Sequence, residues 1–415
     1  MKRIRQISSP ADGWAFIAAS VLLLTACVNS RNPALPHVPY VFPPGPPASE
    51  LLLTNQFAEL DQRFTAAQKA YESGAATETD LRIALREFYD SDPALEPKYD
   101  KWVATFPNSY VAHLARGIYY SEVGYRRRGV LSTEETPHDA LAAADDAYEK
   151  AKTELATSMR LDPKPLFSYS FAIVVARAHG DLSERRHLLD KANAIAPANF
   201  VARARYMGAI DTRWGGNQQM MLAFLDECRA AKLSDDDMQL LESVIVEDQA
   251  WIHQFVDHDY AAAEAAYRKS GALGGDRQLE NLVVVLLEQN KFREAIELLT
   301  EEVKNRPGDT DLLVRRSSVY LLSGMPREGI ADLRAAAESG DAKAQNNLGV
   351  YYTTGIPGFL SPDANLGRPW VEKSAAQGNV EGKQNLATLR QPAGYSCGDG
   401  KICMFPPKEL LLVNE

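Results

Sequence analysis

A repeated spacing of 34 residues constrains the fold of this chain more than any other feature of its sequence. Four pairs of positions in the C-terminal half recur at that spacing: Leu286 with Tyr320, Asn290 with Gly324, Ala295 with Gly329, and Leu299 with Leu333. Small residues let two helices approach closely, and larger ones fill the space between them. Because one such helix pair cannot bury its own apolar face, neighbouring pairs must stack.

Prolines extend the same spacing toward the N-terminus. Pro163 and Pro197 are 34 residues apart, and each follows a helical pattern that a proline would end. The pattern resembles the tetratricopeptide repeat, which implies an all-α fold, a superhelical α-solenoid of helix pairs. An earlier unit begins near Pro107, and an insertion at 125–139 displaces its second helix. We expect the arginines of that insertion, Arg126 to Arg128, to lie in a solvated loop rather than to bind phosphate, lipid A or an acidic partner.

A longer repeat follows near the C-terminus. Residues 339–349 align with residues 377–387 at a spacing of 38. With Trp370 between them, this pattern resembles the Sel-1-like repeat, a longer relative of the tetratricopeptide unit. Gly367 and Pro369 depart from that family's pattern, so we expect the second helix of this unit to begin late, near Pro369.

The N-terminal half is also predicted to be helical. Apolar residues within 57–67 and 81–88 fall on one face of each predicted helix. Together with a Trp-Gly-Gly turn at Arg213 to Gly216, this half resembles an uncharacterised bacterial family of helical domains that has no assigned activity. We expect the two glycines to turn the chain and Trp214 to pack between helix pairs.

The first 27 residues resemble a bacterial lipoprotein signal. Three basic residues within the first five positions precede an apolar stretch at 14–24 that is too short to span a membrane as a stable helix. The run from Leu24 to Cys27 is similar to the site at which such signals are cleaved. The resemblance implies that Cys27 carries a diacylglycerol and further acyl chains such as palmitate, which anchor the protein to the membrane. Val28, rather than an aspartate, implies the outer membrane. The alternative is an ordinary signal peptide and an unmodified cysteine.

These patterns divide the chain into six predicted segments. They are a signal peptide at 1–26, a lipidated cysteine and proline-rich tether at 27–49, a helical domain with degenerate tetratricopeptide-like repeats at 50–230, tetratricopeptide-like repeats at 231–335, a Sel-1-like repeat at 336–390 and a cap at 391–415. Strand signals are scarce. Only 279–290 is rich in β-branched residues, and its place at a repeat offset favours a buried helix.

The sequence offers little catalytic chemistry. It has no Gly-x-Ser-x-Gly elbow and no phosphate-binding glycine-rich loop, so we expect no enzymatic activity and no cofactor. His253 and Asp257 share a helical face, but a zinc site needs more ligands, and we expect a polar helix end without metal. Cys397 and Cys403 predict a small disulfide-bridged loop, and Cys228 predicts a buried free thiol.

The function these features favour is a lipid-anchored scaffold that binds a protein or peptide in the periplasm. A net charge of −10 argues against nucleic acid as a partner. The first helices of successive units should form a concave binding surface, on which we place Arg277, Glu280, Asn281, Asp311 and Arg315. An alternative is an immunity lipoprotein that neutralises a secreted antibacterial toxin such as a phospholipase. A third possibility, an envelope hydrolase, would need converging carboxylates or a perturbed histidine in a cleft.

Overall fold

The computed structural model describes residues 45–129, 136–178, 181–275 and 278–389. Within these ranges the chain is all-α, apart from three short 3-10 helices and an isolated bridge between Ile356 and Leu360. None of the helices in the described ranges is both long enough and apolar enough to span a membrane. The chain forms two compact units, an N-terminal unit that ends at Gln278 and a C-terminal unit that begins at Leu279.

The helices follow one another through short connections. The N-terminal unit contains α1 (Ala48–Leu53), α2 (Phe57–Glu72), α3 (Glu78–Leu85), α4 (Glu96–Thr105), α5 (Tyr110–Arg128), α6 (His138–Leu161), α7 (Leu166–Ala178), α8 (Leu182–Ile195), α9 (Val201–Met207), α10 (Gln218–Ala230), α11 (Asp235–Phe255) and α12 (Tyr260–Ala272). The C-terminal unit contains α13 (Gln278–Glu288), α14 (Phe292–Asn305), α15 (Thr310–Leu322), α16 (Pro326–Glu338), α17 (Ala342–Thr354), α18 (Ala364–Ala376) and α19 (Val380–Leu389).

Consecutive helices pack as pairs. In the N-terminal unit α5 packs on α6, α7 on α8 and α11 on α12. In the C-terminal unit α15 packs on α16 and α17 on α18, while α14 contacts α15 and α16 contacts α17, so that each pair also touches the next. Stacked helix pairs are the arrangement of an α-solenoid. The predicted fold class is confirmed.

The 34-residue spacing has a backbone cause in the C-terminal unit. Asn290 and Gly324 each lie two residues beyond the first helix of a pair, and both adopt left-handed φ angles, +58° and +78°. Glycine and asparagine are the residues that tolerate this conformation at a helix end. Ala295 and Gly329 are the next pair of equivalent positions. Ala295 is fully buried, and a Cβ added at Gly329 would lie 2.7 Å from Cγ of Leu321. The repeated positions therefore mark one turn and one close helix contact.

The predicted apolar faces of the N-terminal helices are confirmed. All of the following residues are buried: Phe57, Leu60, Phe64, Ala67, Leu81, Leu85 and Phe88. They join an aromatic cluster in which the ring centroids of Phe64 and Phe88 are 4.4 Å apart and those of Phe88 and Trp102 are 5.9 Å apart. Large buried rings supply much of the stability of a helical core.

The prediction that Arg126 to Arg128 lie in a loop is wrong, although Arg126 and Arg127 are exposed to solvent as predicted. Arg126 to Arg128 form the last turn of α5, which ends at Gly129 with a φ of +66°. Cations are stabilised at a helix C-terminus by the exposed carbonyl groups there. Arg127 also donates a hydrogen bond of 3.1 Å to the backbone oxygen of Ala143 in α6. The apolar periodicity of the sequence predicts that this helix ends before Arg126. The three arginines do not extend an apolar pattern, although they continue the helix.

The prediction that α18 begins near Pro369 is also wrong. The helix begins at Ala364, where the side chain of Asp363 accepts hydrogen bonds from the backbone N–H groups of Asn365 and Leu366 at 2.9 and 3.3 Å. Pro369 lies inside the helix and forgoes one backbone hydrogen bond. The cap at Asp363 sets the start of the helix, and the proline does not.

The Trp-Gly-Gly turn has the predicted structure. Gly215 adopts a left-handed φ of +84°, which reverses the chain after a 3-10 helix at Thr212–Trp214. Trp214 is half-buried between two helix pairs, with the guanidinium carbons of Arg128 in α5 and Arg177 in α7 at 5.5 and 4.6 Å from its ring centroid. Both predictions for this motif are confirmed.

Candidate functional site

An apolar groove lies on the first helices of the C-terminal unit. Val283, Val284 and Leu287 of α13 form one wall, and Val319 and Leu322 of α15 form the other. We call this surface the C-terminal groove. Its cavity volume is about 90 Å³, and Leu299 of α14 contributes to its lining.

The sequence of α13 explains why the groove is apolar. One set of its residues, Leu282, Val285 and Leu286, is buried in the unit at 4%, 0% and 0% exposure. A second set, at positions 283, 284 and 287, faces the groove. Each set follows the spacing of three or four residues that places side chains on one side of a helix. A helix with apolar residues on two sides packs on its neighbours with one side and leaves the other available.

Charged side chains border the groove. Nη2 of Arg315 lies 2.7 Å from Oε1 of Glu280, which joins α15 to α13, and Nε of Arg315 lies 2.6 Å from Oδ2 of Asp311. Lys343 of α17 and Glu288 of α13 also line the cavity. Ion pairs this exposed stabilise a fold by at most about 1 kcal/mol. Here they place both positive and negative charges beside the apolar residues of the groove.

The sequence-predicted surface residues fall at or near this groove. Glu280 and Arg315 line it, and Asp311 is bonded to Arg315. Asn281 is half-buried on α13 and outside the lining, and Arg277 lies outside the described residues. Their role in binding a partner stays a prediction. The sequence analysis missed the apolar walls, although the run of valines and leucines in α13 was the signal that could have identified them.

The other candidate sites contain no assembled chemistry in the described part of the chain. Nδ1 of His253 lies 2.9 Å from Oδ2 of Asp257 on the exposed end of α11, and no group of three potential metal ligands occurs among the described residues. Cys228 is a buried free cysteine, as predicted, and its sulfur lies 3.6 Å from Nη1 of Arg203. Cys27, Cys397 and Cys403 lie outside the described residues.

Comparison with known proteins identifies one domain within the chain. Residues 48–190 match the model of a domain of unknown function, DUF4034. The match runs from α1 into α8, covers less than half of the chain, and ends before the Trp-Gly-Gly turn and before the C-terminal groove. The match supports the expected resemblance to an uncharacterised helical family for residues 48–190, a range that does not include the Trp-Gly-Gly turn.

No curated protein sequence matches the chain significantly. Among solved structures, the crystal structure of the P58(IPK) TPR domain at 2.5 Å is 18% identical, covers 72% of this chain and 95% of its own length, and has a TM-score of 0.25. At that identity and TM-score, the similarity says nothing about what this chain binds.

Proposed function

We propose that the chain is a lipid-anchored helical-repeat scaffold that binds a protein or peptide in the C-terminal groove. The observation that carries the proposal is the apolar cavity between α13 and α15, bordered by Glu280 and Arg315. Val284 and Leu322 are half-buried at this cavity, whereas the other apolar residues of its two walls are buried. Burying one branched apolar side chain there would contribute about 1.5–3 kcal/mol. The bordering charges would select the orientation of a peptide rather than supply most of the affinity.

The groove suits a peptide better than a small metabolite. Most of its lining is apolar, and the polar and charged residues that share the lining are Glu280, Glu288, Arg315, Ser318 and Lys343. Apolar grooves between helices recognise alternate apolar side chains of a docked segment. We propose that the partner presents such a segment, with Lys343 and Glu288 contacting its polar backbone or flanking charges.

Site-specific crosslinking tests the groove. A photoreactive residue at position 318, which lines the groove on α15, is expected to capture one dominant partner in cells. The same residue at position 293, on α14 with its side chain 91% exposed, is the matched control and should capture that partner at least tenfold less. Capture should also fall at least tenfold with Arg315→Glu, since this change opposes Glu280.

The outcomes separate the two functions. A partner from the cell's own envelope supports the scaffold. Capture of only a toxin delivered by a competing cell, together with death of the deletion strain beside that competitor, supports the immunity alternative. Equal capture from positions 318 and 293 would contradict a binding role for the groove.

The membrane anchor is a separate part of the proposal and rests on the sequence from Leu24 to Cys27. A Cys27→Ala variant should move from the membrane pellet to the soluble periplasmic fraction, because the acyl chains each bury many methylene groups at about 0.8 kcal/mol apiece. Cell fractionation followed by immunoblotting measures this. If the variant stays in the pellet at the parent level, Cys27 is not the anchor.

A further inference from the structure

A second cavity lies in the N-terminal unit, where α5, α6 and α7 meet the Trp-Gly-Gly turn. Its lining includes Glu122 and Arg128 of α5, Tyr148 of α6, Arg177 of α7 and Trp214. We call it the Arg177 pocket. Its cavity volume of about 20 Å³ admits only a very small group. The proposed partner-binding role does not use this pocket.

Arg177 is the unusual residue of this pocket. Its side chain lines the cavity although the residue is only 6% exposed. Among the described residues its guanidinium group has a ring contact with Trp214 but no hydrogen bond or ion pair. Burial lowers the pKa of Arg177 to about 10. A buried cation is costly unless an anion or several acceptors face it.

The nearest acidic residues do not neutralise Arg177 directly. Asp211 lies close enough to influence it, but its carboxylate is bonded to Arg213 at 2.6 Å. Glu122 faces the same cavity and makes no hydrogen bond or ion pair with the described residues. Burial raises the pKa of Glu122 to about 7, against the opposing effects of Arg205, Arg126 and Arg177.

A third polar group at this pocket lacks a partner. The indole N–H of Trp214 is buried and has no hydrogen-bond acceptor in the described structure. The lining residues thus supply a cation, an N–H donor without an acceptor, and a carboxyl group whose pKa lies at about 7. Arg128 also lines the cavity, with its guanidinium carbon 5.5 Å from the ring centroid of Trp214.

We propose that the Arg177 pocket binds a protonated oxyanion of the phosphate class, as hydrogen phosphate or as a phosphate monoester. Arg177 and the indole N–H of Trp214 donate to the unprotonated oxygens, and Glu122 accepts the hydrogen bond of the ligand's own O–H. Phosphate groups with a second pKa near 6 still carry a proton for part of the time at neutral pH. Sulfate and phosphate diesters carry none, so they can bind only while Glu122 is itself protonated. Raising the pH above the pKa of Glu122, about 7, therefore disfavours them.

Thermal unfolding of the mature protein at about pH 8.5 and constant ionic strength tests this specificity, because Glu122 is then ionised while inorganic phosphate keeps its last proton. The probes are inorganic phosphate, methyl phosphate, sulfate and dimethyl phosphate at millimolar concentration. Inorganic phosphate is expected to raise the melting temperature, whereas sulfate and dimethyl phosphate are not. Methyl phosphate carries its proton only near its second pKa of about 6, so any response to it should be larger at about pH 6 than at about pH 8.5. A response to inorganic phosphate alone would assign the free ion, and a response to both would leave room for a monoester whose remainder lies outside the pocket.

Two variants assign the response to named residues. Arg177→Met should weaken phosphate binding at least tenfold without lowering the melting temperature of the free protein, because it removes a buried charge that lacks a partner. Glu122→Gln should remove the discrimination, so that sulfate binds within about threefold of phosphate, since the amide can donate to an unprotonated oxygen. Arg186→Met, on the exposed side of α8, is the control and should change neither response.

Some results would overturn the proposal. If phosphate does not stabilise the parent protein, or if sulfate stabilises it equally, the pocket does not recognise a protonated oxyanion. Loss of stability in Arg177→Met without any phosphate response would instead make Glu122 the counterion of Arg177 through a water molecule. Should Arg177→Met fail to fold, the Glu122→Gln comparison of sulfate with phosphate still decides the matter.

Discussion

Replacing Gly216 with alanine is expected to destabilise the N-terminal unit by about 3 kcal/mol or more. A Cβ at this position would lie 1.8 Å from the backbone oxygen of Ile210 and 2.4 Å from its carbonyl carbon. Neither atom belongs to a flexible side chain that could move away. The backbone N–H of Gly216 also donates to the oxygen of Asp211 at 3.0 Å, which fixes the turn in place. Relief of the overlap therefore requires the turn to open.

The measurement is urea unfolding followed by tryptophan fluorescence in a Trp370→Phe background. The protein used begins at residue 27, so that Trp14 of the predicted signal peptide is absent. Trp370 is the tryptophan of the C-terminal unit, and Trp102, Trp214 and Trp251 then report on the N-terminal unit alone. The matched control is Gly215→Asn, since nothing lies within 4 Å of a Cβ there and asparagine tolerates a left-handed φ. We expect the control to cost about 1 kcal/mol or less. A Gly216→Ala variant as stable as the control would contradict the close-approach argument.

The repeat architecture could be predicted from sequence because it rests on local rules. Asn290 and Gly324 recur at one spacing since each terminates a helix with a left-handed residue, and Ala295 and Gly329 recur since each lies where two helices touch. Each of these constraints restricts the residue type at a single position, so the restriction can be detected in a single sequence. The two errors, at Arg126 to Arg128 and at Pro369, concern helix ends, where capping and neighbouring contacts outweigh local propensity.

The candidate sites were harder to predict because they depend on contacts between distant residues. Glu280 and Arg315 were both predicted to lie on the first helices of successive units, but the depth of the groove between them depends on how α13 and α15 pack. Arg177 and Glu122 are 55 residues apart in the sequence and lie on different helices, and nothing around Arg177 in the sequence marks it as buried. Burial of a charged residue by distant parts of the chain produces no periodic pattern in the sequence around it, so sequence analysis cannot detect it.

Replacing Arg185 with methionine should destabilise the N-terminal unit by about 3–5 kcal/mol. The Arg185 side chain is fully buried, and its guanidinium group donates to the backbone oxygens of Ala209, of Trp214 at 2.8 Å and of Arg177 at 3.1 Å. Methionine fills much of the volume but donates no hydrogen bond. Three carbonyl groups would then lose this donor, and two of the three hydrogen bonds are buried. Buried acceptors without partners are costly.

Arg186→Met is the matched control for this change. Arg186 is the next residue of α8, and its exposed guanidinium group pairs with Asp190 at 3.0 Å and Glu227 at 2.9 Å. Exposed ion pairs contribute at most about 1 kcal/mol, so the control should differ little from the parent. The same urea titration in the Trp370→Phe background measures both variants. Equal stabilities for the Arg185 and Arg186 variants would show that the three carbonyl groups are satisfied without Arg185.

Arg185 also links stability to the proposed phosphate site. Two of the three carbonyl groups that it binds belong to Arg177 and Trp214, the residues that would donate to the ligand. Arg185 therefore links the end of α7 to the Trp-Gly-Gly turn. This link fixes the distance between Arg177 and Trp214, which both line the pocket. In the folded fraction of Arg185→Met, phosphate should raise the melting temperature less than in the parent, whereas in Arg186→Met the rise should be unchanged. An undiminished rise in Arg185→Met would show that the pocket forms without this restraint.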